Sequence, residues 1–122
     1  MLSAWNTQDV EVVLARYTED LVYLDPNTRG PVLGRDAMRA YLTKLFDRWT
    51  MTWARDEIFP LEGNDGVTIR WNATLAPAGS GESVAIKGLD LVVLEGDLVK
   101  RNEVYFDRAP VAALLPALAA RS

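Results

Sequence analysis

From residue 51 to residue 106 the apolar residues of this chain recur at every second position. Four runs carry the pattern: WARDEIFPLE, GVTIRWNATLA, SVAIKGLDLVVLEG and DLVKRNEVYFD. A period of two belongs to a half-buried strand, whose successive side chains point to opposite faces. The runs are divided by Gly63-Asn64-Asp65-Gly66, Pro77-Ala78-Gly79-Ser80-Gly81 and Glu95-Gly96-Asp97, all rich in turn formers. Four strands so joined predict an antiparallel meander, and a sheet with one apolar face needs a cover.

The first half of the chain supplies that cover. DVEVVLARY places Val10, Val13, Leu14 and Tyr17 at helical spacing, with Asp9 or Thr7 available as the cap. LVYLDP at 21–26 reads as a strand that stops in a turn at Asp25-Pro26, because proline offers no ladder donor. NTRGPVLG reads as a loop. RDAMRAYLTKLFDRW then repeats apolar residues at Met38, Tyr41, Leu42, Leu45, Phe46 and Trp49, the pattern of a long amphipathic helix. The tail PVAALLPALAARS has helical composition, with Pro110 suited to a first turn and Pro116 expected to break what begins there. The expected fold class is α+β: a curved antiparallel sheet wrapped by helices into a cone around an apolar pocket, a cystatin-like roll formed by residues 1–122 as a single domain.

Composition removes several chemistries. The chain holds no Cys and no His, so thiol nucleophiles, thiolate metal sites and the commonest general base are absent. Carboxylates and phenols remain, and no metal and no cofactor are expected. The net charge of −4 is spread evenly, with seven basic and nine acidic residues in 1–60 against six and eight in 61–122, so no patch for nucleic acid stands out. MLSAWNTQDV lacks the basic start and apolar stretch of a signal peptide, and no run approaches a membrane span of about 20 apolar residues. A soluble, cytoplasmic protein without a membrane partner is the expectation.

The stretch AWNTQDVEVVLARYTEDLVYLDPNTRGPVLGRDAMRAYLTKLF resembles the opening of SnoaL-like and ketosteroid-isomerase-like proteins of the nuclear-transport-factor-two-like superfamily, and GLDLVVLEGDLVKRNEVYFDR resembles their closing hairpin. The similarity rests on a strand-ending Asp-Pro, a Gly-Arg-Asp helix start and a final Tyr-Phe-Asp. It implies the fold more than any one reaction, since such folds host isomerases, cyclases, epoxide hydrolases, dehydratases and proteins without catalysis.

Two acids follow from the resemblance as the catalytic pair. Asp25 matches the carboxylate that moves a proton between carbons in ketosteroid isomerases; by its own sequence context it is equally a turn-forming Asp before Pro. Asp90 matches the acid that stays protonated and donates to the substrate oxyanion, or that acts as acid or base in polyketide cyclases. It also breaks an apolar strand, where Asp is disfavoured, unless it faces outward and pairs with Lys87 or Lys100. Burial raises a carboxyl pKa, which is expected to keep Asp90 neutral at pH 7. An ungapped alignment puts Met1 where ketosteroid isomerases carry a first-helix Tyr, so Tyr41, Tyr23 or Asn102 is the expected oxyanion donor. Epoxide hydrolases of this fold resemble the chain less, because Gly88 stands where their Asp-Arg-Asp relay has Arg; Arg70 would have to supply the cation.

If Glu95-Gly96-Asp97 is a three-residue loop, Leu94 faces Leu98, Val92 faces Lys100, Asp90 faces Asn102, Gly88 faces Val104 and Ile86 faces Phe106. One face then reads Ile86, Asp90, Val92, Asn102, Val104 and Phe106, an apolar surface with one polar focus. In the preceding strand Val67, Ile69, Trp71, Ala73 and Leu75 form the apolar face, with Trp71 either a pocket wall or a plain core residue. The expected substrate contacts are Tyr23, Tyr41, Ile69, Trp71, Asn102 and Phe106 around a small apolar molecule, in a cofactor-free enzyme that transfers a proton. A ligand-binding or dimerisation module without chemistry is the alternative. Leu89, Leu91, Val93, Val99 and Tyr105 then point away from the pocket, among Arg101 and Glu103, and predict a homodimer packed sheet to sheet.

Overall fold

A computed structural model describes residues 2–114 of the chain. Two short helices, α1 (Leu2–Asn6) and α2 (Val10–Leu14), precede β1 (Tyr17–Leu24) and the two-residue β2 (Val32–Leu33). The long α3 (Gly34–Arg48) runs directly into β3 (Trp49–Pro60), followed by β4 (Gly66–Pro77), β5 (Val84–Glu95), β6 (Leu98–Phe106) and α4 (Ala109–Ala112). The sheet order is β2-β1-β6-β5-β4-β3, so the last four strands form the expected meander. One pairing departs from the antiparallel expectation: β1 lies parallel to β6. The two strands are far apart in sequence, and α3 together with the strands β3 to β5 makes the long connection that a parallel pair requires.

Several boundaries differ from the sequence reading. The α2 helix stops at Leu14, so Tyr17 begins β1 rather than closing a helix. Asp9 is the cap, its Oδ1 accepting from the Glu11 and Val12 amides at 3.0 and 3.2 Å, an arrangement worth about 1 kcal/mol. Trp49 opens β3 instead of ending α3, and part of the expected 27–34 loop pairs with β1 as β2. Pro110 does sit in the first turn of α4, while the expected break at Pro116 lies outside the described residues.

The β5–β6 register also differs. The turn has two residues, Gly96 and Asp97, with Glu95 paired to Leu98 and Gly96 at φ +62°, a conformation glycine adopts without steric cost. A bulge then leaves Lys100 unpaired, so Asp90 faces Val104, Val92 faces Asn102 and Gly88 faces Phe106. Leu94, which pairs with Val99, is out by one, while beyond the bulge the expected pairings are out by two residues, and an even slip preserves the face. Asp90, Val92, Asn102 and Val104 all point inward and are buried. Val99 lies before the bulge and is turned the other way: it is buried at 4% exposure rather than on the outer face.

The core fills the concave side. Val13, Tyr17, Leu21, Met38 and Leu42 are wholly inaccessible and join α2, α3 and β1 to the sheet. Each such aliphatic side chain contributes about 1.5–3 kcal/mol by leaving water. On β4 the alternation is as the period predicts, with Ile69, Trp71, Ala73 and Leu75 buried and Arg70, Asn72 and Thr74 exposed. Among the described residues no helix is long and apolar enough to cross a membrane.

Candidate functional site

Asp25 sits where β1 ends, and the turn that Pro26 forces folds the chain back over its carboxylate. Oδ1 accepts from the Asn27 amide at 2.7 Å and the Thr28 amide at 3.1 Å, so the turn-forming role is real. Oδ2 accepts from Tyr23 at 2.7 Å and also from Tyr41, which α3 carries across the gap. Four donors thus fill the acceptor positions of one buried carboxylate. Burial raises both phenols well above their ordinary range, and the neighbouring Asp25 charge adds to this, so both remain donors.

Asp90 lies on the same side of the sheet. Its Oδ1 accepts from Trp71 Nε1 at 2.9 Å. Burial raises its pKa from 3.8 to about 6, hydrogen bonds from Trp71 and Asn102 oppose the rise, and the charge of Asp25 adds to it. This corrects the expectation of a neutral acid at pH 7: with a pKa of about 6, about one molecule in ten carries the proton there.

Two small interior cavities adjoin these acids. One, of about 30 Å³, is lined by Asp25 together with Tyr23, Tyr41 and Phe106; the other, of about 10 Å³, is lined by Asp90. Trp5, Tyr23, Trp53 and Val104 form walls of both. Asp25 and Asp90 therefore line neighbouring cavities with four walls in common on the concave face.

The remaining expected contacts divide. Tyr23, Tyr41 and Phe106 line the cavity by Asp25. Ile69, Trp71 and Asn102 line neither. Trp71 is fully buried behind Asp90, in edge-on contact with Trp53 and Phe106, so it is a core residue that orients the acid rather than a wall. Asn102 has no exposed surface; its Oδ1 accepts from Tyr17 at 2.8 Å and its Nδ2 donates to the Leu91 carbonyl at 3.2 Å. Its amide is committed to the core and is not a free oxyanion donor. Arg70 is on the outer face with Asp56 and Glu57, which removes it as the cation of an epoxide-opening relay.

Trp5 and Trp53 are the residues that the sequence reading missed. Trp5 lies on α1, and its Nε1 donates to Tyr17 at 3.2 Å. Trp53 projects inward from β3, and its Nε1 is buried with no hydrogen-bond partner. An unpaired buried donor costs about 1–3 kcal/mol, and such groups in native structures call for an explanation. The strand alternation alone could have put Trp53 beside Met51 on the inner face; its missing partner has no sequence signal.

The family model for the SnoaL-like domain matches residues 1–102. A comparison with curated proteins gives no match. Among solved structures, an uncharacterised cystatin-fold protein from Novosphingobium aromaticivorans is 26% identical, with a TM-score of 0.68 over 85% of this chain and 90% of that one. A hypothetical protein with a ketosteroid-isomerase-like fold from Catenulispora acidiphila, in complex with trimethylamine, is 16% identical, with a TM-score of 0.80 over 92% and 85%. TerC, co-crystallised with polyporic acid, is 17% identical, with a TM-score of 0.75 over 97% and 92%.

Proposed function

The chain belongs to the SnoaL-like domain family, and on that premise we propose that it is a small cofactor-free acid–base catalyst acting on an apolar, ring-containing carbonyl compound. The observation that carries this reading is a pair of buried carboxylates, Asp25 and Asp90, whose adjoining cavities share the walls Trp5, Tyr23, Trp53 and Val104. The Trp53 N–H in that wall can donate to a carbonyl oxygen of the substrate. Asp25 takes a proton from the carbon beside the carbonyl once Tyr41, the less buried of its two phenols, releases Oδ2. The charge that moves onto the carbonyl oxygen is held by Trp53 Nε1 and by the protonated form of Asp90. Asp25 then returns the proton to another carbon, so bonds and protons balance and the net change is an isomerisation. Co-crystallisation of TerC with polyporic acid supports a small-molecule ligand for this fold.

The test is turnover of ring carbonyl compounds selected by thermal shift from steroids and aromatic polyketides. Asp25→Asn and Trp53→Phe are each expected to lower turnover about a hundredfold, the usual cost of losing one such group. Activity of the parent should fall as pH rises through about 6, where Asp90 loses its proton. Unchanged turnover of every accepted compound in Asp25→Asn and Asp90→Asn together would refute the reading. The alternative is a module without chemistry that binds its ligand outside these interior cavities, which at about 30 and 10 Å³ fall far short of the about 300–1,000 Å³ of usual ligand pockets. On that alternative ligands bind and none is turned over.

The outer face supports a second part of the proposal, a homodimer. Leu89 and Tyr105 are 42% and 53% exposed there, beside the Arg101–Glu103 ion pair, which is self-complementary about a two-fold axis. Light scattering at micromolar concentration is expected to give twice the chain mass. A monomer would rule the dimer out.

A further inference from the structure

The cavity beside Asp25 opens into a groove of about 690 Å³, bounded by the 27–33 loop, one side of α3 and α4. Both spaces share Asn27, Tyr41, Leu45, Trp49 and Val111, so the groove is the vestibule of the site. Its charge is one-sided. Arg29, Lys44, Arg48 and Arg108 line it, and among the described residues no Asp or Glu does, although the chain as a whole carries a net charge of −4.

Elsewhere on the surface three arginines are matched, Arg39 with Glu11 and Asp36, Arg70 with Asp56 and Glu57, and Arg101 with Glu103, while Arg16, Arg55, Lys87 and Lys100 stand singly and are not gathered into a groove. Arg29, Lys44 and Arg48 make no such ion pair among the described residues, and Arg108 commits only its Nε, to Asn27 Oδ1 at 2.6 Å. Lys44 and Arg48 stand one turn apart on α3, on the side that also carries Tyr41 and Leu45. One helix face therefore presents two cations beside the phenol that guards Asp25. A single exposed pair is worth little, but several cations converging on one anion beside apolar walls are worth more.

We propose that this groove binds an amphipathic small molecule, a carboxylate attached to an apolar ring system whose ring lies at the mouth of the site against Tyr41, Trp49 and Val111. The volume fits one such molecule, and Tyr41, Trp49 and Val111 provide the apolar surface beneath it. The inference rests on the acid–base reading for the position of the ring, while the preference for an anion is independent of catalysis.

The experiment titrates the parent protein with 2-naphthoate and with methyl 2-naphthoate by calorimetry, at low and at high salt. The acid is expected to bind at least about tenfold more tightly than the ester, with the difference shrinking as salt screens the cations. The double variant Lys44→Gln, Arg48→Gln replaces exposed residues with a good helix former, and its thermal melt should match the parent's. It is expected to weaken the acid several-fold and to leave the ester unchanged. Equal affinity for acid and ester in the parent, no binding of either, or a preference undiminished in the double variant would each overturn the proposal. Turnover in Asp25→Asn and Trp53→Phe is a separate readout, so the anion preference and the acid–base reading can fail independently.

Discussion

Gly88→Ala is expected to destabilise the protein by about 3 kcal/mol or more, a large loss for one added methyl group. A Cβ at this position would lie 2.5 Å from Trp71 Cη2, closer still to Cζ2, and 2.7 Å from the Tyr105 carbonyl oxygen. Neither neighbour can yield cheaply. The Tyr105 oxygen belongs to the adjoining strand, and the Trp71 ring has no exposed surface and packs edge-on against Trp53, with centroids 4.5 Å apart. Trp71 also holds Asp90 through its indole N–H, so displacing the ring disturbs the acid as well. The same contact explains why an arginine could not stand at 88 without rebuilding this part of the core. Gly81→Ala is the control, because nothing lies within 4 Å of a Cβ there, and its effect should stay within about 0.5 kcal/mol. Urea melts measure both, and a Gly88→Ala midpoint equal to that of the parent would show that the Trp71 packing is not as described.

Asp90→Asn is expected to raise stability at pH 7 by up to about 3 kcal/mol relative to its effect at pH 4. The carboxyl has a folded pKa of about 6 against an ordinary value of 3.8, and this difference corresponds to about 3 kcal/mol. The sign follows from the direction. A folded state that holds the proton more tightly than the unfolded chain loses stability as pH rises from about 4 to about 6, and the full cost is present above that. Asn cannot ionise, so this cost vanishes, while its side-chain oxygen still accepts from Trp71 Nε1. Other acids titrate in both proteins and cancel in the comparison. Asp90→Leu differs in a useful way: it strands the Trp71 N–H at a cost of about 1–3 kcal/mol at every pH, so it should be destabilising at pH 4 and near parity at pH 7. Parallel stability-against-pH curves for parent and Asp90→Asn would mean that Asp90 is not held in a desolvating site.

Face and element type were legible in the sequence because each is set by local periodicity. The period of two in β4 placed Ile69, Trp71, Ala73 and Leu75 inward whatever their partners proved to be. The misread β5–β6 turn and the bulge beyond it each moved the register by one, and the alternation of a strand absorbs the even slip that results, so Asp90, Val92, Asn102 and Val104 kept their face. Val99 was lost because a bulge reverses the alternation at one residue, and Lys100 carries no local mark of being unpaired.

The two carboxylates, Tyr23, Tyr41 and Phe106 could be named from residue type and resemblance, and so could the α+β roll. What each polar group does was decided by tertiary contacts. Asn102 and Asp90 are both buried polar residues on the inner face, yet one has its amide bonded to Tyr17 and Leu91 while the other holds a perturbed carboxyl against Trp71. Trp53 and Trp71 both alternate inward, yet Trp71 has an acceptor for its indole N–H and Trp53 has none. The vestibule likewise gathers Arg29, Lys44, Arg48 and Arg108 from three separate segments into one groove. Periodicity reports which side of an element is buried, because that depends on neighbours along the chain. Hydrogen-bond satisfaction and convergent charge depend on residues brought together from distant positions, and only the folded chain specifies those.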